Sequence, residues 1–82
     1  MVKMYGTELC PDVKAAIAMF KDKNIEVDFR DFSESIFNLK EFILMRDSNP
    51  CFEAVKKSGS IGIPCFLFED GRISFDPEDI EQ

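Results

Sequence analysis

Leu9-Cys10-Pro11-Asp12-Val13 is the stretch on which the fold turns. It sets a cysteine and then a proline between a short apolar segment and the first run with helical periodicity. Proline in a first helical turn costs little, because the N–H it lacks would have no intrahelical partner there. From Pro11 onward, Val13, Ala16, Ile17 and Phe20 recur at the spacing of an amphipathic helix. Lys21-Asp22-Lys23-Asn24 closes that helix with cations near the negative end of its dipole. Upstream, Val2-Lys3-Met4-Tyr5 alternates in character and carries a β-branched and an aromatic residue, the marks of a short strand. Gly6-Thr7-Glu8-Leu9 is then the loop that delivers Cys10 at or beside the N-cap. Unpaired N–H groups and the helix dipole favour an anion at that place, and a thiolate is such an anion.

Beyond the first helix, Ile25, Val27 and Phe29 alternate with Glu26, Asp28 and Arg30, which predicts a strand with one wetter face at a sheet edge. Ser33 or Ser35 can cap a second helix whose inward face is marked by Leu39, Phe42, Ile43 and Arg46. Asp47-Ser48-Asn49-Pro50 ends it. Asn49 can cap and Pro50 can start a further short helix, with Phe52 and Val55 inward and Gly59 stopping it. Ile63-Pro64-Cys65-Phe66-Leu67-Phe68 is an almost unbroken apolar run, hence a buried strand, with Pro64 at its entrance because proline cannot serve mid-ladder. Asp70-Gly71 signals a hairpin to a returning strand, Ile73-Ser74-Phe75. Asp76-Pro77 begins a last helical turn. A β-α-β unit followed by a β-β hairpin gives an α/β fold with a four-stranded mixed sheet flanked by helices.

Composition narrows the function. Eighty-two residues make one small domain. Hydrophobic residues at 45% and charged residues at 32% describe an ordinary folded chain, with nine phenylalanines that belong mostly to a core. A net charge of −6 argues against nucleic acid or an anionic membrane as partner. Neither an 18-residue apolar run nor a leader pattern is visible, so a cytoplasmic protein is expected. Three cysteines, an odd number, speak against a disulfide scaffold, and the lack of histidine removes the commonest general base and metal ligand.

Cys10-Pro11-Asp12-Val13, Ile63-Pro64 and the Asp70-Gly71 hairpin, in that order over nearly the whole chain, resemble the glutaredoxin branch of the thioredoxin fold. The resemblance implies a single glutaredoxin-like domain over residues 1–82, with Pro64 cis and packed beside Cys10. It further implies that the backbone of Ile63 pairs with a bound peptide or glutathione. On its residues alone, Pro64 reads equally as a trans proline at a strand entrance. Val13 stands where two-cysteine members carry a second cysteine, so the site resembles the single-thiol type. The Cys-Gly-Phe-Ser signature, the glycine pair after the hairpin and the lysine before the cysteine are all replaced.

The candidate catalytic residues are therefore Cys10 and Pro11, and the candidate substrate-binding residues are Ile63 and Pro64. Lys14 supports an anionic sulfur while Glu8 and Asp12 oppose it. The alternative for Cys10 is an inert small hydrophobe. Cys51 follows Pro50 at another helix start, and Cys65 reads as core, or as an unusual second thiol if Pro64 lies on Cys10. Arg46, Lys56 and Lys57 read as solvated charges or, by the resemblance, as a site for the glycine carboxylate of glutathione. The expected activity is thiol–disulfide exchange through Cys10, with an external thiol as resolving group. The expected partners are small thiols or protein mixed disulfides, on a monomer or weak dimer. No resident cofactor is expected, although glutathione or another low-molecular-weight thiol could take part. A redox-silent binding module and a glutathione-dependent iron–sulfur carrier are the alternatives.

Overall fold

A computed structural model describes residues 1–80. Strand β1 (Lys3–Gly6) leads through the Cys10 loop to helix α1 (Pro11–Asp22), and strand β2 (Asp28–Asp31) returns parallel to β1. Helix α2 (Ile36–Ser48) follows, then a 3₁₀ turn over Pro50–Phe52 that runs into helix α3 (Glu53–Ser58). Strands β3 (Cys65–Leu67) and β4 (Ile73–Ser74) form the closing hairpin, and a second 3₁₀ turn spans Pro77–Asp79. The sheet order is β2-β1-β3-β4, with β1 antiparallel to β3 and β3 antiparallel to β4. This is an α/β fold with a four-stranded mixed sheet. Among the described residues no helix is long and apolar enough to cross a membrane.

Successive strand residues point to opposite sheet faces, and both faces of this sheet are covered. Met4 of β1 and Phe66 of β3 sit opposite each other and pack with Val13, Ala16 and Phe20 of α1 and with Ile80. Their neighbours Tyr5 and Cys65 face the other way and pack with Phe42 of α2 and Phe52. Met4, Tyr5, Cys65 and Phe66 are all at most 1% exposed. That double burial explains why the third strand reads as a continuous apolar run rather than an alternating one.

The second strand begins later than the alternation predicted. α1 ends in a Schellman arrangement: Asn24 has a positive φ of 56°, the Asn24 N–H donates to the Lys21 carbonyl, and the Ile25 N–H donates to Phe20 at 2.8 Å. Ile25 is therefore a hydrophobic lock on the helix end, and pairing with β1 starts only at Asp28. The strand does lie at the sheet edge, as its mixed character required. Ser35, not Ser33, caps α2, its Oγ accepting from the Phe37 N–H at 3.2 Å. The predicted inward face of α2 needs correction as well: Phe42 is buried, but Ile43 is 45% exposed.

Candidate functional site

Gly6 fixes where α1 begins. A Cβ on Gly6 would stand 2.8 Å from Val13 Cγ2, so only glycine lets the end of β1 press against the first turn of the helix. The loop between them is tied from within and without. The Cys10 N–H donates to the Thr7 carbonyl at 3.0 Å, the Leu9 N–H donates to Thr7 Oγ1 at 3.3 Å, and Thr7 Oγ1 shares a 2.9 Å hydrogen bond with Ser33 Oγ. Cys10 is thereby held in extended backbone at the N-cap of α1, its carbonyl accepting from the Lys14 N–H at 3.1 Å. Its side chain makes no capping hydrogen bond. Pro11 occupies the first helical turn as predicted and is exposed. The sulfur is half-buried against the α1 side of the core, with exposed Glu8 and Leu9 before it.

The facing wall is built by the segment after α3. Gly59, with a φ of 77°, ends that helix. Arg46 of α2 then reaches across, its Nε donating to the Ile61 carbonyl and its Nη2 to the Ser60 carbonyl, both at 3.0 Å. Gly62 has a φ of 97°, and a Cβ there would approach Val55 to 3.1 Å and the Phe52 ring to 3.4 Å. The chain passes this close to α3 and the Phe52 ring because no side chain intervenes. Next comes Ile63–Pro64, joined by a cis peptide bond, with Pro64 buried.

Between the two walls lies an open cleft of about 650 Å³, lined by Cys10, Asp12, Ala16 and Met19 on one side and Ile61, Ile63, Pro64 and Phe75 on the other. Its surface is largely apolar. Among the described residues Asp12 is its single acidic residue, and no lysine or arginine lines it. Three of the four residues singled out from sequence (Cys10, Ile63 and Pro64) thus share one cleft, while Pro11 frames it from the helix start. The isomer of Pro64 is the cis one that the resemblance implied. Met19, Ile61 and Phe75 are wall residues that sequence reasoning did not mark. They come from three separate segments, and no local pattern joins them.

The basic residues do not form an anion site on this cleft. Arg46 is committed to the two loop carbonyls, Lys56 pairs with Glu53 on its own helix at 4.0 Å, and Lys57 is exposed. Arg46 is a clamp on the loop that carries Ile63 and Pro64. Cys51 is exposed on the 3₁₀ turn and does not line the cleft. Cys65 does not serve as a second thiol for Cys10: it is fully buried on the opposite face of the sheet, among Tyr5, Phe42 and Phe52.

Burial, with a smaller contribution from Cys51, pushes the Cys65 thiol up to about 12 from an ordinary value of 9.0. Burial also raises Tyr5, helped by the hydrogen bond that its hydroxyl donates to Glu41. Both groups hold their protons longer in the folded chain than in the unfolded one. The unfolded chain therefore gains charge first as pH rises, and folding stability is lost from about pH 9 upward toward 12. Urea midpoints at about pH 8 and about pH 10.5 should show a clear drop at the higher value, reversed on returning to neutral pH.

No family model matches the chain, and no solved structure matches it. An uncharacterized protein of Haemophilus influenzae is 33% identical to it over 73 residues, which covers 89% of this chain and 85% of that protein. The length and level of that match place this chain in the same family as the Haemophilus influenzae protein.

Proposed function

We propose that the chain is a single-thiol, glutaredoxin-like thiol–disulfide oxidoreductase on a thioredoxin-like fold. The observation that carries this reading is the cleft shared by Cys10 and the cis Ile63–Pro64 bond. In the proposed reaction the Cys10 thiolate attacks one sulfur of a mixed disulfide. A bond forms between Cys10 Sγ and that sulfur, the original S–S bond breaks, and the departing thiolate takes a proton from water. An external low-molecular-weight thiolate then attacks the substrate sulfur bound to Cys10, forming a new disulfide and releasing Cys10 with its electron pair. The external thiol is the reductant. One is required because position 13 is a valine and Cys65 lies on the other sheet face.

The surroundings support each part of that sequence. The first-turn N–H groups of α1 have no intrahelical acceptors and favour negative charge at the N-cap. Among the described residues the Ile63 backbone makes no hydrogen bond, which leaves its N–H and C=O for an extended peptide laid along the cleft. The apolar walls suit such a segment. With Asp12 as the only charged wall residue among those described, an anionic thiol such as glutathione would meet Cys10 without an ionic anchor.

The test is to incubate the reduced protein with a peptide mixed disulfide and read the adduct by intact-mass and peptide mass spectrometry. Expected is one adduct on Cys10, removed by added low-molecular-weight thiol. An adduct found only on exposed Cys51, or a Cys10 that reacts no faster than free cysteine at neutral pH, would overturn the proposal in favour of a redox-silent binding module.

A further inference from the structure

α2 is apolar on two faces. Phe42 is packed inward, whereas Ile36, Phe37, Ile43 and Leu44 are 68%, 72%, 45% and 61% exposed. At about 100° per residue these four, with Lys40 and Asp47, fall within one sector of roughly 120°, where a surface helix ordinarily carries polar residues. Lys40 and Asp47 are both exposed and, among the described residues, neither belongs to an ion pair or a side-chain hydrogen bond. Asp47 also stands in the last turn of its helix, where the dipole disfavours an anion.

We infer that this face is a self-association surface on which two copies of the chain pair α2 against α2, antiparallel across a two-fold axis. The charge pattern decides the occupant. A two-fold interface must be complementary to itself. Lys40 and Asp47 lie equally far, in opposite directions, from the midpoint between Ile43 and Leu44. An antiparallel pairing centred there sets Lys40 of each copy against Asp47 of the other and brings Ile43 and Leu44 together in the middle. Phe37 and Ile36 of each copy then reach just past the end of its partner's α2 at Ser48. An anionic membrane surface would be repelled by Asp47 and by the net charge of −6. The antiparallel pair, by contrast, is locally neutral.

The contact is modest. A 13-residue helix is about 20 Å long, and one helix face covers about half of the ~800 Å² per partner typical of a stable complex. The dimer is accordingly reversible and concentration-dependent. None of the six face residues lines the Cys10 cleft, so both clefts stay open in the pair.

Sedimentation equilibrium of the full chain under reducing conditions, from micromolar to millimolar concentration, tests this. The average mass should climb from 9.4 kDa toward twice that value. Leu44→Asp should hold the chain at the single mass, with its circular dichroism unchanged. Lys40→Glu should weaken association at least tenfold, and Lys40→Glu combined with Asp47→Lys should recover most of it. A parent chain of single mass throughout the range would overturn the inference. So would a dimer that survives Leu44→Asp, or a double reversal that recovers nothing.

Discussion

Cys10→Ser should lower disulfide exchange with a mixed-disulfide substrate by on the order of 100-fold or more, leaving only the background reaction of the substrate with the external thiol. A serine hydroxyl is not ionised at neutral pH, and its oxygen cannot accept a sulfur to make a disulfide. The replacement is nearly isosteric at a half-buried N-cap, and serine is itself a good capping residue. The fold and its urea midpoint should therefore be retained or slightly improved, which separates chemistry from folding. Cys51→Ser is the control. Cys51 is exposed and lies outside the cleft, so the rate should stay within about twofold of the parent. If Cys10→Ser kept full activity, the proposed mechanism would fail.

The second large effect concerns stability. Phe52→Ala should cost about 3–5 kcal/mol, the range for emptying a large aromatic site in a core. Phe52 is fully buried and stacks edge-to-face on two other rings, Phe42 at 5.8 Å and Phe75 at 5.1 Å. Its ring also lies beside the Gly62 backbone, so the cavity would open beneath the loop that holds Ile63 and Pro64. For a domain whose total stability is of order 5–10 kcal/mol, that loss moves the urea midpoint by about half its value. Phe52→Leu fills most of the space and should cost about 1–1.5 kcal/mol. Equal midpoints for the two variants would show that ring packing at this position matters little.

These two residues differ in how they could be seen from sequence. Phe52 announced itself as an inward residue two positions after a helix-starting proline, and it is buried. Cys10 was equally legible, since proline, helix periodicity and a preceding strand all fix one N-cap. The hairpin at Asp70-Gly71 followed from backbone chemistry alone, and Gly71 does carry a positive φ of 93°. Where the expectation slipped, two local patterns competed. Ile25 and Val27 satisfied a two-residue period, but Asn24 could adopt the left-handed cap that draws Ile25 onto the helix end. α2 offers apolar residues around most of its circumference, so periodicity could not select Phe42 over Ile43. The role of Arg46 was out of reach for another reason. Its acceptors are backbone carbonyls 14 and 15 residues away, and carbonyls leave no mark in a sequence.

The close approach of Gly6 to Val13 bears on how this site could change over evolutionary time. The Val13 methyl groups already press on the strand, so any bulkier residue at position 13 would force β1 and α1 apart. A smaller one would not. Cysteine is smaller than valine, and position 13 lies one helical turn from Cys10 on the same flank of α1. The backbone thus accommodates a two-thiol site at the distance of a single substitution, with no rebuilding of the cleft. By that measure, the dependence on an external thiol proposed for this chain is a property of one side chain and not of its architecture.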